Sequence, residues 1–178
     1  MSTRPTSDRL RETLFNVLAP RIGGAPFLDL YAGSGAVGLE ALSRGAARVA
    51  FVERAPAALR VLSGNLARLG ISGGFRVHAK SVSAFLRSFA KSGPKPERYE
   101  VVFLDPPYDA AEEYAITLGL LGGTAQGILA QGAVVIAEHR RKQQLDERYG
   151  NLERTRLLEQ GDAAMSFYAV SSRFSGEQ

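Results

Sequence analysis

A doubly wound α/β fold, with a mostly parallel sheet and helices on both faces, is predicted by three observations. Short apolar runs alternate with stretches of helical periodicity, and parallel strands need such crossover connections. One run, Phe27-Leu28-Asp29-Leu30, leads into the glycine turn Gly33-Ser34-Gly35 and then into a helical pattern. Another, Val101-Val102-Phe103-Leu104, ends at Asp105-Pro106-Pro107-Tyr108. Strand ends at one edge of such a sheet are where ligands bind.

Pro5-Thr6-Ser7-Asp8 has the hydroxyls and acid of a helix start, and Leu10, Leu14, Val17 and Leu18 follow at helical spacing up to Pro20. Phe27 to Leu30 is the first strand, Ala36 to Ser43 a helix closed by Gly45, and Val49 to Val52 a second strand that ends at Glu53. Pro56 suits a first helical position, with Leu59, Leu62, Leu66 and Leu69 as the buried stripe and Gly70 as the stop. Phe75 to Val77 is a strand and Ser81 to Ala90 a helix, closed by the polar loop Lys91-Ser92-Gly93-Pro94-Lys95-Pro96. After the strand that ends at Leu104, Ala110 to Leu121 is helical and Ala133 to Ala137 is a β-branched fifth run. Leu152 to Leu158 and Ala164 to Val170 form a closing antiparallel pair around Gly161-Asp162.

The chain has 178 residues, 45% of them hydrophobic, enough for a single domain over 1–178 with a full core. No apolar run approaches the roughly 20 residues of a membrane span, and the N-terminus lacks a signal-peptide core, so a cytoplasmic protein is expected. Cysteine is absent and there are two histidines, which argues against disulfides, a thiolate metal site and any cysteine nucleophile; no metal is expected. Methylation at C5 of a pyrimidine, which usually proceeds through a cysteine adduct, is thereby disfavoured. The net charge of +4 is compatible with a nucleic-acid partner without naming one.

Two consecutive prolines fix φ and remove donors, so the Asp105 side chain and the Asp105 and Pro106 carbonyls form a rigid set of acceptors. That set suits an exocyclic amino group, with Tyr108 as a face on which a base can stack. Gly33-Ser34-Gly35-Ala36-Val37-Gly38 matches the dinucleotide fingerprint literally, and Glu53 would serve the ribose of NAD as well as that of S-adenosylmethionine. Asp29, placed to meet a cationic ligand, and the amine clamp favour S-adenosylmethionine. Three readings stay open on the residues: an amino-methyltransferase of RNA or of DNA adenine or cytosine, a nicotinamide-dependent oxidoreductase, and a cofactor-binding module without activity.

Beyond these two motifs, the opening Arg4-Pro5-Thr6-Ser7-Asp8-Arg9-Leu10-Arg11 and the helix end Glu40-Ala41-Leu42-Ser43-Arg44-Gly45-Ala46 resemble the RsmD family of small-subunit ribosomal RNA guanine-N2 methyltransferases. The likeness runs through nearly the whole chain. It implies a seven-stranded class I methyltransferase sheet with an antiparallel last strand. It implies S-adenosylmethionine as methyl donor, with S-adenosyl-L-homocysteine as product, and cofactor roles for Asp29, Tyr31, Gly33, Gly35, Glu53, Arg54 and Asp105. It gives base binding and catalysis to Asp105, Pro106, Pro107 and Tyr108. Relatives carry an acid after the third strand that meets the adenine amine; here Lys80-Ser81 stands there, and Ser81 or a backbone group takes its place. The basic hairpin that usually precedes Arg-Pro-Thr is not expected here, which would weaken RNA affinity more than cofactor affinity.

Arg4, Thr6, Arg9 and Arg11, with Arg140, Arg141 and Lys142 just past the fifth strand, are the candidate contacts to ribosomal RNA or to an assembling small subunit. Solvated helix ends explain such clusters equally well. Phe85, Phe89, Phe103 and Phe167 read as core, and His78 as structural. A monomer is expected.

Overall fold

The protein is described by a computed structural model covering residues 5–92, 97–107 and 109–174. In chain order the elements are α1 (Pro5–Ile22), β1 (Pro26–Leu30), α2 (Ala36–Ser43), β2 (Arg48–Glu53), α3 (Pro56–Arg68), β3 (Phe75–Ala79), α4 (Val82–Ala90), β4 (Tyr99–Leu104), α5 (Glu112–Leu121), β5 (Leu129–Arg140), β6 (Arg148–Tyr149), β7 (Leu152–Gln160) and β8 (Ala163–Val170). The sheet order is β3-β2-β1-β4-β5-β8-β7-β6. β1 to β5 are mutually parallel, and β8 runs antiparallel to both of its neighbours, β5 and β7. The order reverses between β1 and β4, which opens a crevice at the carboxyl ends of those strands.

Alternation along each strand divides the core into two layers. Leu28, Leu30, Val102, Leu104 and Val135 face α4 and α5, which contribute Phe85, Leu86 and Leu118. Phe27, Phe51, Val101, Phe103 and Ile136 face α1, α2 and α3, which contribute Leu14, Leu18, Ala41 and Leu62. Phe85, Phe103 and Phe167 are buried, as a core role requires.

Several boundaries differ from expectation. Among the described residues the sheet has eight strands rather than seven, because Arg148-Tyr149 folds back on Leu152-Glu153 through Gly150, which holds a left-handed φ of 57°. α1 continues through Pro20 to Ile22, since Ile22 extends the buried Leu14, Leu18 stripe and the lost N–H falls in the last turn. Leu69 caps α3 and is 58% exposed, so the stripe of that helix ends at Leu66. β5 runs twelve residues, well past Ala133–Ala137 at both ends, because β4 pairs with it from Leu129 and β8 pairs with it up to Arg140. His139 and Arg140 therefore belong to the strand.

α1 crosses one face from edge to edge. The Arg21 guanidinium donates to the Gly132 carbonyl (2.6 Å) near the start of β5, and the Thr13 hydroxyl donates to Gln160 Oε1 (2.7 Å) at the end of β7. The first turns of α1 are thus placed at the carboxyl edge of the parallel strands. Among the described residues no helix is long and apolar enough to cross a membrane.

Candidate active site

The carboxyl edge carries a cavity of about 650 Å³ lined by Asp29, Tyr31, Gly33, Glu53, Arg54, Ser81, Asp105, Pro106 and Pro107. Residues scattered over eighty positions of sequence meet because β1, β2, β3 and β4 end side by side.

The glycine turn is built for this geometry. Gly33 (φ 58°) and Gly35 (φ 81°) take left-handed conformations that an L side chain resists. At Gly35 a Cβ would also run into the Leu62 side chain, so the turn packs tightly against α3. Gly38 lets α2 lie against β2, since a Cβ there would strike Phe51 and Val49, and its amide donates to Asp29 Oδ2 (3.0 Å).

Four carboxylates line the cavity: Asp29, Glu53, Asp105 and Glu113. Asp29 is 2% exposed, and burial pushes its pKa well above the usual range, with the charges of Asp105 and Glu53 adding to the effect. Glu53 accepts from the Gly33 amide through Oε2 (2.8 Å) and from the Arg54 and Ala55 amides through Oε1 (2.9 Å each), so its orientation is fixed from three sides. Asp105 is accessible from the cavity, but protein surrounds its other sides, and that desolvation pushes its pKa up to about 6. Accessibility and desolvation coexist here because the residue lies on a concave wall.

Tyr31 adopts a left-handed backbone (φ 59°), uncommon for a bulky residue and characteristic of binding sites. Its hydroxyl donates to Glu113 Oε2 (2.7 Å) and is paired with Thr117 Oγ1 (2.7 Å), which leaves the ring to face the cavity. Ser81 caps α4, its Oγ accepting from the Ala84 amide (3.2 Å), and Lys80 and Ser83 flank it on the wall. Pro106 is buried and Pro107 exposed. Tyr108 and Arg4 lie outside the described residues, as does the side chain of Thr6.

The remaining basic candidates share the same edge. Arg9 is exposed, Arg11 pairs with Asp8 (3.2 Å) and Arg141 with Glu159 (3.0 Å), while Lys142 is exposed beyond them. Arg140 ends β5 opposite Ala163, which is in turn opposite Gln160, the residue held by Thr13. His139 is buried, with its ring nitrogens bonded to Ser166 Oγ and the Arg140 carbonyl (2.8 Å each), so it is structural. His78, half-buried, packs its ring against Phe85.

Sequence reasoning missed Glu113, which lines the cavity, and Thr117, which holds the Tyr31 hydroxyl; it also missed Glu138, which lies outside the cavity beside Asp105 on the neighbouring strand. Glu138 carried a usable signal: like Asp29 and Glu53, it is an acid at the end of a buried apolar run. Glu113 carried none, because its contact depends on where α5 folds back.

The sequence profile of the family described as Conserved hypothetical protein 95 matches residues 1–169. The chain belongs to this family. It is the RsmD family that the opening motifs resemble. The chain is 35% identical over 167 residues to YlbH of Bacillus subtilis, provisionally named an rRNA methyltransferase, a match covering 94% of this chain and 88% of that one. It is 48% identical over 105 residues to Ribosomal RNA small subunit methyltransferase D of Escherichia coli, a stretch that spans 59% of this chain and half of the relative. Among solved structures, yhhF of Escherichia coli, provisionally described as a methyltransferase, superposes with a TM-score of 0.79 at 36% identity, covering 96% of this chain and 89% of that one.

Proposed function

We propose that this protein transfers a methyl group from S-adenosylmethionine to the exocyclic N2 amine of a guanine in small-subunit ribosomal RNA. The observation that carries this reading is the convergence of Asp29, Glu53 and Asp105 on one cavity beside a rigid Pro-Pro turn.

Buried carboxylates with raised pKa values call for a cationic partner. S-adenosylmethionine is such a partner, supplying an activated methyl on a sulfonium and leaving as S-adenosyl-L-homocysteine. Asp29 and the Gly33 turn would hold its amino-acid end, Glu53 its ribose, and Ser81 with its neighbours its adenine, with Tyr31 and Arg54 on the walls. A dinucleotide fits less well: its pyrophosphate would meet carboxylates where it needs free amides, and the Gly33 and Gly38 amides are already donated to Glu53 and Asp29.

The guanine amine is a poor nucleophile because its lone pair is delocalised into the ring. Asp105 and the Pro106 carbonyl would accept its hydrogens, orient the nitrogen and stabilise the charge that develops on it. A carboxylate with a pKa near 6 remains ionised at neutral pH and takes the released proton more readily than an ordinary aspartate. Tyr108 would stack on the base. Arg4, Thr6, Arg9, Arg11, Arg140, Arg141 and Lys142 would meet phosphates along the same edge. The chain acts in the cytoplasm as a one-domain monomer, on rRNA or on an assembling small subunit.

The test is methyl transfer from radiolabelled S-adenosylmethionine to assembled small subunits, free ribosomal RNA and duplex DNA in parallel. Label in N2-methylguanosine is the expected result. Label only in DNA, or binding of NAD in preference to S-adenosylmethionine, overturns the reading.

A further inference from the structure

We infer that Glu138 donates a hydrogen bond to O6 of the target guanine, making it the residue that selects guanine over other amino-bearing bases. The inference rests on the activity proposed above and adds a specificity role to it.

The strand order supplies the geometry. Asp29, Asp105 and Glu138 lie at or just past the ends of three adjacent strands, β1, β4 and β5, and alternation places all three on the α1 face: Asp29 is in register with Phe103, and Phe103 with Ile136. The cavity described above lies over β1 to β4 and does not reach Glu138. Glu138 therefore flanks Asp105 on the side away from the cofactor, where the ring must lie if Asp105 grips its amine. Neighbouring strands are about 4.8 Å apart. That is of the same order as the span between N2 and O6 on the edge of guanine, with N1–H between them. In adenine and cytosine the acceptor instead sits immediately beside the amine.

The protonation state fits the same role. Burial, with the Asp105 charge beside it, pushes the Glu138 carboxyl up to about 8, so of these two neighbouring acids Glu138 is the one that holds its proton to the higher pH. One acceptor and one donor thus stand side by side, matching the amine and the O6 acceptor that guanine presents. The backbone carbonyl of Glu138 accepts from the Tyr114 hydroxyl (2.7 Å), which fixes the strand from the other face. Other charged groups on this side are Arg140 on the same strand, Asp8, Arg9, Arg11 and Glu12 in the first turns of α1, and the Arg141–Glu159 pair. Position 165, opposite Glu138 on β8, is the uncharged Met165.

The experiment pairs a change on the six-membered ring of the substrate with a change at Glu138. The RNA or reconstituted particle that accepts the label is prepared with guanine or with 2-aminopurine at the target position; 2-aminopurine keeps the N2 amine and lacks both O6 and the N1 hydrogen, neither of which Asp105 is assigned to bind. Wild-type protein should prefer guanine by tenfold or more in kcat/KM. Glu138→Ala should lose that preference, its activity on guanine falling to the wild-type level on 2-aminopurine. Glu138→Gln, which keeps an N–H donor, should retain the preference and should lack the fall in kcat/KM above about pH 8 expected of the wild type. An unchanged guanine preference in Glu138→Ala, or in Glu138→Gln a lost preference or a persisting alkaline fall, in protein that still binds S-adenosylmethionine, overturns the inference. Label in a product other than N2-methylguanosine is a separate failure, of the activity on which it rests.

Discussion

The Gly33 amide donates to Glu53 Oε2 at 2.8 Å, tying the turn after β1 to the end of β2. Because the other oxygen of Glu53 accepts from Arg54 and Ala55, the carboxylate is set before any ligand arrives. Glu53→Gln turns one acceptor into a donor that faces a backbone N–H. Hydrogen bonds to charged groups contribute about 1.5–3 kcal/mol. Cofactor affinity by calorimetry should fall by at least tenfold, with the helix content by circular dichroism unchanged.

Asp105→Asn places an NH₂ where the amine hydrogens need an acceptor. Loss of one such preorganised group costs about 10²–10³ in kcat. Single-turnover methyl transfer should slow by that much while a quenched-flow pH series on the wild type shows activity rising through about pH 6, as Asp105 ionises.

Asp29 and Glu138 both have raised folded-state pKa values. The folded protein therefore holds protons that the unfolded chain releases at lower pH. The associated stability is fully present below the ordinary carboxylate range and is lost as pH rises through the folded values. Asp29→Asn, which can still accept from the Gly38 amide, should raise the Tm of cofactor-free protein at pH 8 while weakening S-adenosylmethionine binding. A Tm that falls instead, measured by calorimetry, contradicts the burial account.

Two glycines should respond oppositely to the same substitution. A Cβ at Gly38 meets Phe51 and Val49, so Gly38→Ala should cost about 1–3 kcal/mol through overpacking. Gly64 lies in α3 with open space around it, and Gly64→Ala should add up to about 1 kcal/mol. Urea denaturation of the two variants gives both signs directly.

Lys142 is exposed at the rim, whereas Arg141 is tied to Glu159. Lys142→Ala should lower the slope of log affinity for RNA against log salt by about one. Cofactor affinity should not change.

The residues that line the cavity from β1 to β4 were legible in the sequence because their signals are local. Ala36–Ser43 was placed to the residue, and Asp29, Gly33, Glu53 and Asp105 all meet as strand-end residues should. What depends on tertiary pairing was not. The length of β5 comes from β4 and β8 on either side, and the burial of His139 from Ser166 across a strand pair. The left-handed backbone of Tyr31 leaves no trace in composition, since only its latch to Glu113 and Thr117 reveals why the turn takes that form. Leu69 fitted the apolar period yet fell outside the helix, where Gly70 ends it.

The reversal of strand order between β1 and β4 has an evolutionary consequence. Residues between 29 and 113 line the cavity that the methyl donor would occupy, and residues 129–170 build the strands beyond it, with Asp105 at the boundary. A lineage can therefore retune what it modifies by substitutions confined to the second stretch, while the first is left under unchanged selection. The same partition makes the β5 and β8 tips the place to graft a new target preference onto this scaffold.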